Sequence, residues 1–98
     1  MTELNILEQL LGCYFHQDWL EEFDNDISAL DAIVNSEPSE YLQACIKEID
    51  ALLASALTEE ELSIVVIQNI GCYFDPKSRG LGYDEWLRLV RNKFSQQA

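Results

Sequence analysis

The run Leu42-Gln43-Ala44-Cys45-Ile46-Lys47-Glu48-Ile49-Asp50-Ala51-Leu52-Leu53 decides the fold. Leu42, Cys45, Ile46, Ile49, Leu52 and Leu53 recur at three- and four-residue spacings, so on a helix of about 3.6 residues per turn they form one apolar stripe, which Ala56 extends. No alternation of period two competes with it, and the helix is the longest regular element in the sequence. Just before it, Pro38 cannot donate a backbone hydrogen bond but fits a first helical turn, which makes Ser36 the expected cap.

Towards the N-terminus, Asp24, Asn25 and Asp26 supply cap-type oxygens ahead of Ile27, Leu30, Ile33 and Val34, which predicts a short helix ending near Ser36. Before that, Trp19, Leu20 and Phe23 pack a turn-rich segment. Leu4, Leu7, Leu10, Leu11, Tyr14 and Phe15 mark an amphipathic helix from about residue 3 to 14. Towards the C-terminus, Thr58 and Glu61 spell a capping box that opens a helix burying Leu62, Val65, Val66 and Ile70. Asp75 to Gly82 is rich in turn chemistry and predicts an exposed loop. A final helix runs from about Tyr83 to Ser95, with Trp86 or Leu87, Val90 and Phe94 on its stripe. The expectation is all-α: one domain over residues 1–98, a compact bundle of about five helices.

Hydrophobic residues make up 48% of the 98 and are spread in periodic runs, enough to offset chain entropy in a single core. No apolar run has the length of a membrane span, and Glu3 and Glu8 stand where a secretory signal carries bases, so the expected location is the cytosol. Three cysteines, Cys13, Cys45 and Cys72, cannot all pair, and their apolar neighbours suit reduced thiols acting as small hydrophobes. The net charge of −12 repels nucleic acid and anionic membrane and attracts a cationic protein surface. It is polarised: residues 1–76 hold 16 of the 18 acids with Lys47 as their one base, whereas Lys77, Arg79, Arg88, Arg91 and Lys93 all follow. Those late bases suit the C-terminal dipole of the last helix and complement the acidic remainder.

Gly12-Cys13-Tyr14-Phe15 reappears as Gly71-Cys72-Tyr73-Phe74, each time after an apolar helix and before a Trp-Leu pair. A glycine at such a point either turns left-handed to stop a helix or lets two backbones approach, while the aromatics plug the core. Two copies with unequal flanks do not make a repeat architecture.

Chemical motifs are weak. Cys13 and His16 are three apart, but a structural zinc site needs four ligands, and the second copy offers Asp75 in place of a histidine. His16 is the single histidine, and no glycine-flanked nucleophile accompanies it, so no catalytic residues are assigned. A calcium loop counted from Asp24 fails at Ala29 and Asn35, where glycine and glutamate are required. Gly80-Leu81-Gly82 lacks the context of a phosphate loop. Neither metal nor cofactor is expected. The informative cluster is acidic: Asp18, Glu21, Glu22, Asp24, Asp26 and Asp31 crowd into 14 residues without a base, as a solvated face or as a match to a cationic groove. Glu59, Glu60 and Glu61 add a second group, in a first helical turn where acids are favoured anyway. Tyr14, Phe15, Trp19, Tyr73, Phe74 and Trp86 read as core rather than as interface anchors.

Leu11-Gly12-Cys13-Tyr14-Phe15-His16-Gln17-Asp18-Trp19, Ser36-Glu37-Pro38, Ile49-Asp50-Ala51-Leu52-Leu53, Gly71-Cys72-Tyr73-Phe74-Asp75-Pro76 and Tyr83-Asp84-Glu85-Trp86-Leu87 together resemble the immunity proteins of bacterial contact-dependent growth inhibition systems. The likeness covers almost the whole chain. It implies a cytosolic helical protein, not an enzyme, that binds the C-terminal toxin domain of a surface-delivered effector. Such toxins are commonly nucleases with basic clefts, which agrees with the acidic balance. On that expectation the partner-binding residues are Asp18, Glu21, Glu22, Asp24, Asp26, Asp31, Glu59 and Glu60. A rival reading of the same charge is an acidic adaptor or anti-regulator for a basic nucleic-acid-binding protein.

Overall fold

In a computed structural model that describes residues 5–97, the chain is helical throughout its regular parts, with no strand among the described residues. Helix α1 comprises Asn5–Leu7 and continues through a π-helical stretch, Glu8–Gly12. Single-turn α2 is Trp19–Glu22, α3 is Asp26–Ser36 and α4 is Ser39–Ala54. Helix α5 runs Glu59–Ile64 and on through π-helical Val65–Ile70, and α6 is Tyr83–Gln97 after a 3₁₀ turn, Pro76–Arg79. Five longer helices match the periodicity; α2 is the extra turn inside the Trp19–Phe23 segment. Leu4 lies outside the described residues.

The expected caps form at two helices. Asn25 Oδ1 accepts the Ser28 amide at 2.9 Å, and the Thr58/Glu61 box is closed by bonds of 3.0 and 3.1 Å. Those bonds to Thr58 hold the Glu61 carboxyl below the usual carboxylate range. Ser36 does not cap α4: it is the last residue of α3, and Pro38 itself occupies the cap position without a side-chain bond. Ala56 lies past the end of α4, in the left-handed region at φ 56°. Two helix starts are instead capped from far away. Glu48 on α4 accepts the Ile6 and Leu7 amides at 3.2 Å, and Glu59 on α5 accepts those of Tyr83 and Asp84 at 2.7 and 3.1 Å. A carboxylate at a helix N-terminus meets both the free amides and the positive end of the dipole.

Helix α6 is the centre of the bundle and packs on α3, α4, α5 and the 3₁₀ turn. Its stripe is wider than the spacing suggests, because Trp86 and Leu87 are both buried beside Val90 and Phe94. At one end sits an aromatic hub. Phe15 lies 5.2 Å from Trp19, 5.9 Å from Phe74 and 5.4 Å from Trp86, and Phe74 is 4.9 Å from Trp86, ring centre to ring centre. Both copies of the repeated tetrapeptide feed this hub. Their backbones meet there: the Tyr73 amide donates to the Phe15 carbonyl at 2.8 Å. Each ring buried here stabilises by roughly 2–3 kcal/mol through lost apolar surface, with about 0.5–1.5 kcal/mol more per well-set aromatic pair.

Of the five late bases Arg79, Arg91 and Lys93 pair with acids, but none lies in the last turn of α6, so the expected match to its C-terminal dipole does not form. Arg91 forks onto Asp50 of α4, and Lys93 reaches Asp31 of α3 at 2.6 Å. The Asp75–Gly82 segment is less free than its composition suggests. Pro76 is buried, Asp75 caps Lys77 at 3.0 Å, and Arg79 ties the turn to α3.

Candidate partner-binding surface

Helix α2 is held by its ends. Trp19 is buried in the hub, 5.6 Å from Phe74, and Phe23 stacks on Tyr14 at 6.3 Å. With those two side chains turned inward, Asp18, Leu20, Glu21, Glu22 and Asp24 are turned outward. Leu20 is 66% exposed, an apolar side chain on the same short helix as exposed Glu21 and Glu22. Asp18, Glu21 and Asp24 have no ion-pair partner among the described residues.

His16 braces this surface. The Asp18 amide donates to Nδ1 at 3.1 Å, which leaves Nε2 to donate to the Glu22 carboxylate at 3.0 Å. Both ring nitrogens are thereby engaged in positioning. Cys13 is exposed, whereas Cys45 and Cys72 are buried and act as the small hydrophobes their neighbours suggest. Burial pushes both of these thiols up, Cys72 to about 12. Among the described residues no three His, Cys, Asp or Glu side chains come together in a way that would hold a metal ion.

Asp26 leaves the predicted surface. It is 1% exposed, and its Oδ2 accepts from Trp86 Nε1 at 3.1 Å and from Arg79 at 2.8 Å. Oδ1 is buried without a partner. The carboxylate is therefore an internal tie between α3, α6 and the 3₁₀ turn, and removing Arg79 would leave an uncompensated buried charge. The sequence could not show this, because both partners lie more than 50 positions away.

The remaining predicted residues divide. Asp31 is exposed but paired with Lys93, and Glu59 is exposed but spends both oxygens on the start of α6. Glu60 is exposed. Tyr14 is half-buried and donates to Glu37 at 3.0 Å; burial first, then the neighbouring Glu37 carboxylate, raises its hydroxyl above the ordinary range.

Four large hydrophobic side chains outside the acidic segment are also exposed among the described residues, Tyr41 only marginally. Ile64 is 47%, Ile67 45% and Tyr73 58% exposed. Ile64 and Ile67 carried a signal in the sequence: they fall out of phase with the buried stripe Leu62, Val66 and Ile70. Tyr73 was expected in the core and is not, because the chain leaves the helix at Gly71 and its side chains then alternate, Cys72 and Phe74 inward and Tyr73 outward.

A family model described as CdiI immunity protein matches residues 3–94. The chain is 30% identical to a chain in the crystal structure of a CdiA-CT/CdiI complex from Y. kristensenii 33638, with a TM-score of 0.87 over 93% of this chain and 97% of that one. No curated protein gives a match. With nearly its full length matched by the family model and the fold shared with that solved structure, the chain belongs to the CdiI immunity protein family.

Proposed function

We propose that this chain neutralises a cognate toxin domain by laying the acidic surface of α2 over a basic active-site cleft, and that the toxin is a nuclease. The supporting observation is the group Asp18, Glu21, Glu22 and Asp24, four exposed carboxylates on one helical turn and its flanks, opposed by no base other than His16. A protein that acts on a polyanion must present cations where its substrate lies, and a carboxylate array competes for those same cations. The similar chain from Y. kristensenii was solved in a CdiA-CT/CdiI complex, which supports a protein toxin as partner. Asp31, Glu59 and Glu60 add to the long-range field. Leu20, on the same short helix, supplies apolar contact once the charges have steered the partner in.

The test is reversal of Glu21, Glu22 and Asp24 to lysine, with Asp26 left intact because it is buried. Binding would be measured against the cognate toxin domain, identified by pull-down from the native cell. The expected result is an association rate at least about tenfold lower at low salt, with a flatter dependence on ionic strength. Unchanged affinity and salt slope would remove α2 from the interface.

A further inference from the structure

Helix α5 is apolar on two sides. Leu62, Val66 and Ile70 face the core, yet Ile64 and Ile67, three residues apart on the solvent side, remain about half exposed. Scattered exposed apolar residues are ordinary, but Ile67 borders a shaped surface. Between α5 and the segment after Gly71 lies a groove of about 310 Å³ with Ile67, Tyr73 and Phe74 in its walls. Ser63, Lys77 and Tyr83 also line a second recess of about 370 Å³, which carries the groove on to Glu59 and Glu60.

We propose that this groove is a second contact for the toxin domain, taking an apolar side chain of the toxin that is flanked by a lysine or arginine. The inference rests on the neutraliser reading above. Charge selects the occupant. Glu59, Glu60 and Asp75 line the groove against Lys77 alone, so its rim is net acidic in a chain of net charge −12. A second copy of the chain would bring two acidic rims together, and a nucleic acid or anionic membrane would be repelled, whereas a cationic protein surface is attracted. The groove is also preorganised. The Tyr73 amide is fixed to the Phe15 carbonyl at 2.8 Å, and Phe74 is locked in the aromatic hub, so little ordering entropy is lost on contact. Tyrosine in such a setting is a frequent binding anchor. The two surfaces then divide the work: α2 steers the encounter and the α5 groove slows release.

The experiment compares the wild-type chain, the Ile67→Ala/Tyr73→Ala double variant and Ile67→Lys for association and dissociation rates with the cognate toxin domain recovered by pull-down. Urea midpoints confirm that each variant is folded, and sedimentation gives the oligomeric state. The expected result is dissociation about ten- to hundredfold faster in the double variant, with association and salt slope within about threefold. Ile67→Lys should do the same alone, by placing a cation at the mouth of the groove. If both variants dissociate within about twofold of a wild type that binds, the groove is wrong and the neutraliser reading stands. If the wild type itself does not bind, both readings fall. A wild-type dimer dispersed by the double variant would assign the groove to a second copy and overturn the proposal.

Discussion

Residues 12–15 and 71–74 spell the same four amino acids in two different conformations. In the first copy the chain stays right-handed through Cys13, with Cys13 exposed, Tyr14 half-buried and Phe15 buried. In the second, Gly71 turns left-handed at φ 80° and the chain leaves the helix; side chains then alternate, with Cys72 in, Tyr73 out and Phe74 in. The phenylalanine ends in the same hub both times, while cysteine and tyrosine exchange environments. The glycines also differ. A Cβ on Gly12 would stand 2.4 Å from the Ile70 carbonyl oxygen, whereas one on Gly71 would meet nothing within 4 Å. Gly12 is needed for close approach and Gly71 for its backbone angle, the two alternatives that the residue type allows.

The largest expected effect tests the shared element. Phe15→Ala and Phe74→Ala should each cost about 3–5 kcal/mol in urea unfolding, because each empties the same hub. As the rings are 5.9 Å apart, the double variant should cost less than the sum by about 0.5–1.5 kcal/mol. A cost below about 1 kcal/mol for either ring would mean that the copies do not share one core.

The glycines come next. Gly12→Ala should cost about 2–3 kcal/mol, since the backbone carbonyl facing it cannot move without parting α1 from α5. Gly71→Ala should cost about 1–2 kcal/mol, the strain of a left-handed alanine in open space. Chemical denaturation of the pair decides it, and the reverse order would break the contrast.

The cysteines give the smallest effect and sharpen the contrast most directly. Cys13→Ser should change stability by less than about 0.5 kcal/mol, and Cys72→Ser should cost about 1–2 kcal/mol by putting a hydroxyl among apolar groups. An aromatic disulfide reagent at pH 8 should label one thiol per native chain and three after unfolding. Cys72, pushed up to about 12, and Cys45, raised further by burial, present no thiolate there. Rapid labelling of two native thiols would place the second cysteine at the surface.

Much of the fold was legible in the sequence because it depends on period. The stripe of α4, the capping box of α5, a cap somewhere in Asp24–Asp26 and the start of α6 all follow from residue types at fixed local spacing. The acidic surface was legible only as a composition. From Asp18 to Asp31 every carboxylate looks alike, and only distant partners separate Asp26, bound to Trp86 and Arg79, from Asp24, which is exposed.

What the sequence determined by itself was helix placement, the family signature and a net charge of −12, since periodicity and net charge are sums over neighbouring or all residues. Tertiary structure alone decided which glycine stops a helix and which lets two helices meet, and which tyrosine is exposed. It also decided that Glu48 and Glu59 cap helices begun more than 20 residues away along the chain. The physical reason is common to all of these. Burial and hydrogen-bond satisfaction are properties of contacts made in three dimensions, so identical local sequences take different roles when different backbones arrive to meet them.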